Sequence, residues 1–291
     1  VKAGKTGQIV LLENLRFHKQ EEQDDSHFAK RLAALAHIYV NDAFAVCHRK
    51  NASVHAITKH LPSYAGLLLQ KEIEALEKLR SNPARPLVLI IGGAKAEDKI
   101  KVITNLADKV DKILLGGAAS NTFLKALGYE IAGSLYEKDQ IDNARRLAEH
   151  FGSELVLPVD VKVCRCRPDD LKGAKFSHAV PITGIRKGED ILDIGPKTRK
   201  IFAAQIEKAK TVFWAGPMGD FEVPEFSHGT LTVARILGKS KATTVIGGGE
   251  TIMAIEKAHV LAKMSHVSTG GGAALEFLAG GEMPGLEALR K

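Results

Sequence analysis

Leu87-Val88-Leu89-Ile90-Ile91-Gly92-Gly93-Ala94-Lys95 runs five aliphatic residues into a glycine pair and then, through Asp98-Lys99, into charged residues. An apolar run of that length with no polar alternation reads as a strand buried on both faces. The glycines then form its exit turn, and a helix begins after them. The unit recurs along the chain. Ile113 to Leu115 precedes Gly116-Gly117-Ala118, and Leu155 to Leu157 precedes Pro158. Val212 to Trp214 precedes Ala215-Gly216-Pro217-Met218-Gly219, and Thr243 to Ile246 precedes Gly247-Gly248-Gly249-Glu250-Thr251. Ile191 to Ile194 joins the same series, and His266-Val267-Ser268 ends it before Thr269-Gly270-Gly271-Gly272. Strands alternating with helices give an α/β fold whose parallel sheet is covered on both faces.

Upstream, Ile9 to Leu12 and Ile38 to Val40 read as strands, with a helix between them from Ser26 to Ala36. Leu69, Ile73, Leu76 and Leu79 mark one face of a helix that ends before Pro83. The domain boundary falls within that helix. The piece before it has too few strands to close a sheet, so the first domain reads as truncated. Cys164 to Gly184 has weak periodicity and reads as loop or insertion. The chain opens on Val1 and its first methionine is Met218, from which an N-terminally incomplete sequence is expected.

The 291 residues are 45% hydrophobic and 26% charged, which excludes disordered, collagen-like and coiled-coil classes. No apolar run approaches the roughly 18 residues of a spanning helix. Cys47, Cys164 and Cys166 are too few for a disulfide framework and lack zinc spacing, which suits a reducing, cytoplasmic setting. A net charge of +7 fits either nucleic acid or phosphorylated metabolites. Nucleic acid is the weaker reading, because aromatics are 5% of the chain and the lysines are scattered.

In an open parallel sheet, ligands bind beyond the carboxyl ends of the strands. Glycine turns there let backbone N–H groups approach a phosphate. A lone glycine turn is often only a turn; a series on one edge points to a phosphate ligand. There is no Gly-x4-Gly-Lys-Ser/Thr, no strand-linked Gly-x-Gly-x-x-Gly with its acidic partner, and no protein-kinase motif set.

Together the motifs resemble phosphoglycerate kinase. The matching stretches are Leu11-Leu12-Glu13-Asn14-Leu15-Arg16-Phe17-His18, Val40-Asn41-Asp42-Ala43-Phe44 with His48-Arg49, and Gly92-Gly93-Ala94-Lys95 with Asp98-Lys99. Leu157-Pro158-Val159-Asp160, Asp193-Ile194-Gly195-Pro196-Lys197-Thr198, Gly216-Pro217-Met218-Gly219 with Phe221-Glu222, and Ser265 to Ala273 follow in family order. The resemblance implies two Rossmann-like three-layer domains with parallel sheets, the N-terminal one truncated here, in a hinge-bending enzyme. Residues 1–66 would be the remnant of a phosphoglycerate-binding domain and 67–82 an interdomain helix. Residues 83–280 would form the nucleotide-binding domain, and 281–291 a tail returning towards the first.

The implied reaction is reversible, glycolytic phosphoryl transfer from 1,3-bisphosphoglycerate to Mg-ADP, giving 3-phosphoglycerate and ATP. Its cofactors would be Mg2+ and the adenine nucleotide as co-substrate, in a monomer with no nucleic-acid or membrane partner. Lys95 would contact the nucleotide phosphates and Lys99 would steady the transferring group, the two lying on one face of a helix start. Gly271 and Gly272 would open a helix whose N–H groups face the transfer. Gly93, Ala94, Gly117, Ala118, Ala215, Pro217, Gly248, Gly249 and Thr251 would line the nucleotide site. Glu222 would hold the ribose hydroxyls and Glu250 the magnesium. Arg16 and Arg49, each just after a strand, would grip phosphoglycerate, a task suited to a planar bidentate donor. Exposed arginines and carboxylates with no such role are the plainer alternative. Trp214 reads as core, and His18, His48 and His266 as structural, because transfer to a carboxylate removes no proton.

Four positions depart from the family pattern. Glu250 stands in place of Asp, Ala118 in place of a third glycine, Ala215 in place of Asn, and Lys50-Asn51 in place of Ala-His. They leave open a second reading, a nucleotide-binding homologue without transfer activity.

Overall fold

The computed structural model describes residue 5, residues 7–165 and residues 173–290. The chain divides into two compact units, one of residues 1–74 with 281–291, the other of residues 75–280.

In the first unit, α1 (Lys19–Glu22) precedes α2 (Ser26–Ala33), whose N-terminus is capped by Asp25 accepting from the Phe28 N–H at 2.7 Å. Phe28, Ala29 and Ala33 of α2 pack on Ala52, Ala56 and Ile57. α2 ends three residues before the expected Ala36, because the N–H groups of Leu35 and Ala36 bond back to Leu32 and Ala33 in tighter turns. β1 (Tyr39–Asn41) pairs in parallel with β2 (Ser63–Ala65), which no alternation in the sequence announces. Ile9 to Leu12 is not a strand. Ile9 is 97% and Leu11 95% exposed, and an apolar run forms a strand only where another backbone completes its ladder. The short α11 (Pro284–Glu287) belongs to this unit, where the Gly285 N–H donates to the Cys47 carbonyl at 2.9 Å. Cys47 is a buried free thiol.

α3 (Leu67–Ser81) carries the chain into the second unit. There β3 (Leu87–Ile91), β4 (Lys112–Leu115), β5 (Leu155–Val156), β9 (Thr211–Ala215), β10 (Thr243–Gly247) and β11 (His266–Val267) form a six-stranded sheet in the order β11-β10-β9-β3-β4-β5. Every pairing in it is parallel. All five positions of β3 and of β9 are buried, as a central strand covered on both faces requires. On one face Val88, Ile90, Leu114, Val212, Trp214 and Ile246 pack on apolar residues of α7 (Pro196–Ile206), α8 (His228–Leu237) and α9 (Gly249–Lys257). The remaining helices of this unit are α4 (Ala96–Asn105), α5 (Gly117–Ala126), α6 (Ile141–Phe151) and α10 (Gly272–Leu278).

A second sheet corrects the sequence reading. β6 (Asp160–Cys164), β7 (His178–Pro181) and β8 (Asp190–Ile194) form an antiparallel trio in the order β7-β6-β8. Ile191 to Ile194 therefore does not extend the parallel series. The expected loop Cys164 to Gly184 contains β7, while its residues 166–172 lie outside those described. The overlooked signal was Val161-Lys162-Val163, an alternation typical of an antiparallel strand, with both valines buried. Cys164 at its end is disulfide-bonded, which a reading of the cysteines as too few for a framework did not anticipate. Among the described residues no helix is long and apolar enough to cross a membrane.

Candidate functional site

Because β3, β4, β9, β10 and β11 run the same way, the five glycine turns that follow them lie at one edge of one sheet. They divide into two kinds. The turns after β3, β4 and β9 are laced together. The Gly92 N–H donates to the Ala215 carbonyl at 2.9 Å, that of Gly93 to Pro217 at 2.6 Å, and that of Gly117 to Met218 at 2.9 Å. A Cβ on Gly92 would lie 2.1 Å from the Pro217 carbonyl oxygen, and one on Gly117 2.6 Å from the Gly93 nitrogen. These glycines exist so that backbones can touch. The expectation that every helix start here offers open N–H groups is corrected accordingly, since that of α5 is spent on its neighbours.

The turns after β10 and β11 are open. No side chain caps α9, so its first-turn N–H groups point outward with the positive end of the helix dipole. Gly248 sits at φ +91° and Gly271 at +50°, so glycine there answers a backbone need. Gly249 and Gly272 have no such φ, and a Cβ on either would meet nothing within 4 Å. Neither backbone nor packing asks for glycine at these two positions. What they preserve is empty space.

That space is a hollow of about 300 Å³, lined by Lys95, Lys99, Ala215, Gly248, Gly249, Thr251, Gly271 and Gly272. Thr251 is buried and its Oγ1 accepts from the Gly216 N–H at 2.7 Å, tying α9 to the β9 turn. Lys95 lies just before α4 with φ +59°, off the helical path. The two lysines therefore do not share a helix face as expected. Lys99 is only 8% exposed and its Nζ donates to the Ala94 carbonyl. Burial lowers the pKa of its amine, against the pull of Glu250, Glu137 and Asp98. A Cβ on Gly93 would be 3.3 Å from both Lys99 Nζ and Glu250 Oε2, so amine and carboxylate converge over that residue.

A second cavity, of about 450 Å³, shares Ala94 and Glu250 with the hollow. Gly93, Gly117, Ala118, Pro217 and Glu222 line it, and so do residues of β8 and the 131–135 segment that sequence reasoning missed. Asp193 is one. It is buried, accepts from the Ile194 and Gly229 N–H groups at 2.8 Å each, and burial pushes its carboxyl up to about 7. Asp220 is also raised, by burial and then by Glu222 and Glu250. Trp214 is core as expected, its indole N–H donating to the Gly216 carbonyl at 2.8 Å.

Arg16 and Arg49 lie in the other unit and are exposed. Arg16 sits in the 3-10 turn Leu15–Phe17 rather than behind a strand, because Ile9 to Leu12 forms none. Arg49 follows the 3-10 turn Phe44–Val46, and its Nε donates to His48 at 3.4 Å.

No group of three or more metal-ligating side chains occurs among the described residues. One or two exposed carboxylates lining a phosphate-sized hollow, as Glu250 and Asp98 do here, are nonetheless a donor set Mg2+ uses when nucleotide phosphates and water supply its other ligands.

The phosphoglycerate kinase sequence profile matches residues 1–281. The phosphoglycerate kinase of Moorella thermoacetica is 48% identical over 288 residues, covering 98% of this chain and 72% of that protein. The one from Thermosipho africanus is 49% identical over 296 residues, covering 99% and 73%. The solved phosphoglycerate kinase of Coxiella burnetii superposes with a TM-score of 0.87 at 41% identity over 97% of this chain and 73% of that one. That of Pyrococcus horikoshii gives 0.86 at 32%, over 99% and 74%. These relatives lend no support to the reading as a homologue without transfer activity. Agreement of this depth in both sequence and fold shows that the chain is a kinase and belongs to the phosphoglycerate kinase family.

Proposed function

We propose that the second unit binds Mg-ADP and Mg-ATP, with the polyphosphate in the open hollow and the nucleoside in the adjoining cavity. In this reading the chain carries out reversible phosphoryl transfer between 1,3-bisphosphoglycerate and ADP. The observation that carries the proposal is the pair Gly249 and Gly272, glycines that no backbone angle and no neighbour requires, which open the uncapped helices α9 and α10 and line one hollow.

Phosphoryl transfer asks a protein for position and charge neutralisation rather than covalent chemistry. The first-turn N–H groups of α9 and the Lys95 ammonium hold the nucleotide phosphates. Lys99, fixed by its bond to the Ala94 carbonyl, presents one buried cation where charge spreads over the moving oxygens. Glu250 is the residue that holds magnesium, which when bound neutralises the phosphate tail. Gly271 and Gly272 keep the transfer path open, and Glu222 accepts from the ribose hydroxyls. Arg16 and Arg49 hold the phosphoglycerate. The phosphoryl group passes between a carboxylate and a phosphate oxygen, both already deprotonated, so neither direction needs a general base, and His18, His48 and His266 take no part.

Calorimetric titration with ADP, with and without Mg2+, tests the proposal. Magnesium is expected to tighten binding, and Glu250→Gln to abolish most of that enhancement, about tenfold. No heat at millimolar Mg-ADP would overturn it.

A further inference from the structure

The helix that carries Lys99 is secured from outside. Lys95, at the N-cap position of α4, makes no side-chain bond to the first turn. First-turn N–H groups need an acceptor, and a helix start left without one frays. Here the acceptor comes from 40 residues downstream, where Glu137 Oε2 accepts the Glu97 N–H at 3.0 Å. A carboxylate at that end also meets the positive end of the helix dipole.

Glu137 is itself held in place. Its N–H donates to Thr122 Oγ1 at 3.1 Å, and two residues earlier the Leu135 carbonyl accepts from Asn121 Nδ2 at 3.0 Å. Asn121 and Thr122 are neighbours on α5, 2% and 0% exposed. Two buried polar side chains are thus spent on a segment whose carboxylate reaches across to α4. Glu137 is in the wall of neither the hollow nor the cavity, so the nucleotide reading gives it no part.

Its connection runs through Lys99. That residue lies in the first turn of α4, and its Nζ folds back to the Ala94 carbonyl just ahead of the helix. A buried amine held this way keeps its place only while the turn stays wound. Burial lowers the Lys99 pKa, and Glu137, with Glu250 and Asp98, opposes that.

We infer that Glu137 is a positioning residue, which winds the start of α4 so that Lys99 meets the phosphate being transferred. This rests on the nucleotide reading above and extends it to a side chain outside the site wall. ATP carries the phosphate that Lys99 would steady and ADP does not, so the two nucleotides separate a positioning role from a general structural one.

The test is calorimetry with Mg-ATP and Mg-ADP on the unaltered chain, Glu137→Ala, Glu137→Gln, Lys99→Met and the double variant Glu137→Ala with Lys99→Met. Glu137→Ala should weaken Mg-ATP about fivefold to tenfold and leave Mg-ADP within about twofold. Glu137→Gln keeps an acceptor of the same reach and should recover most of the loss. In the Lys99→Met background Glu137→Ala should change the ratio of the two affinities no further, because the residue it positions is gone. Equal weakening of both nucleotides, no weakening of either, or additive effects in the double variant would overturn the inference. Glu137→Gln as weak as Glu137→Ala would overturn it too, since charge rather than the hold on α4 would then matter. Should Glu137→Ala fail to fold, Glu137→Asp, one methylene too short to reach the Glu97 N–H, takes its place. Failure of the unaltered chain to bind either nucleotide would instead defeat the nucleotide reading itself.

Discussion

The hollow and the adjoining cavity share Ala94 and Glu250 but are built from opposite materials. The hollow is made by backbone and by missing side chains, at Gly248, Gly249, Gly271 and Gly272. The cavity is walled by side chains, several of them buried and polar, from α5 and from the antiparallel β8. The contrast separates two uses of glycine within one sheet edge. At Gly92 and Gly117 the absent side chain lets protein meet protein; at Gly249 it leaves open space.

Substitution breaks this contrast most forcefully. Gly249→Val puts a stiff branched side chain into the hollow from a position where a Cβ meets nothing within 4 Å and φ is not left-handed. Affinity for Mg-ADP should fall about 100-fold or more by loss of the polyphosphate contacts, with the denaturant midpoint nearly unchanged. Gly92→Ala should do the reverse. A Cβ 2.1 Å from the Pro217 oxygen forces the laced turns apart, costing about 1–3 kcal/mol of stability. Paired urea unfolding and calorimetry on the two variants distinguishes the roles. If Gly249→Val keeps its affinity, the hollow is not where phosphates lie.

Asp193 sharpens the contrast from the cavity side. Its folded-state pKa, near 7, lies above the ordinary value of 3.8, with burial the dominant cause and Arg199 and Lys162 opposing it. Between those two pH values the folded chain binds more protons than the unfolded one. The contribution is therefore full below about pH 4 and is lost as pH rises through about 7. His228, at the start of α8 beside the Gly229 N–H that Asp193 holds, has its pKa lowered by burial and then by Lys162, Arg199 and Arg235. Urea unfolding at several pH values should show a fall for the unaltered chain that Asp193→Asn flattens. The difference in slope between them is bounded by about 1.4 kcal/mol per pH unit for a single proton. Identical slopes would mean the carboxyl is ionised throughout.

How much of this could be read beforehand follows the same division. The parallel sheet was legible because β3 is a continuous apolar run and β9 and β10 are short β-branched and aromatic runs, each closed by glycine, a pattern that needs no distant partner to interpret. The hollow was legible because glycine carries its geometry with it. Ile9 to Leu12 has the composition of a strand, but a strand also needs a neighbour, and sequence composition does not supply one. The cavity was not legible because its walls come from elements whose partners lie far along the chain. Asn121 sits on an ordinary buried helix face, and Asp193 looks like one carboxylate among 34 acidic residues. Only burial and the hydrogen bonds they make set them apart. Lys95 and Lys99 were placed on one helix face by their spacing, and a single left-handed φ at Lys95 undid that.

The smallest expected effect joins the two regions. Lys257, at the far end of α9, donates from Nζ to the Phe221 carbonyl at 2.9 Å. Thr251, near the start of the same helix, accepts from the Gly216 N–H at 2.7 Å. The 216–222 turn is thus pinned at both ends by the helix whose start forms the hollow. Lys257→Met retains the apolar stem but frees the carbonyl beside Glu222. It should weaken ADP about threefold to fivefold, the scale of one neutral-to-charged hydrogen bond felt at second hand. Tripolyphosphate, which has no ribose, should bind as before. Lys257→Arg should recover most of the loss, since the donor and its charge remain. If tripolyphosphate weakens along with ADP, Lys257 steadies α9 as a whole, and the two regions are one mechanical unit rather than two sites sharing an edge.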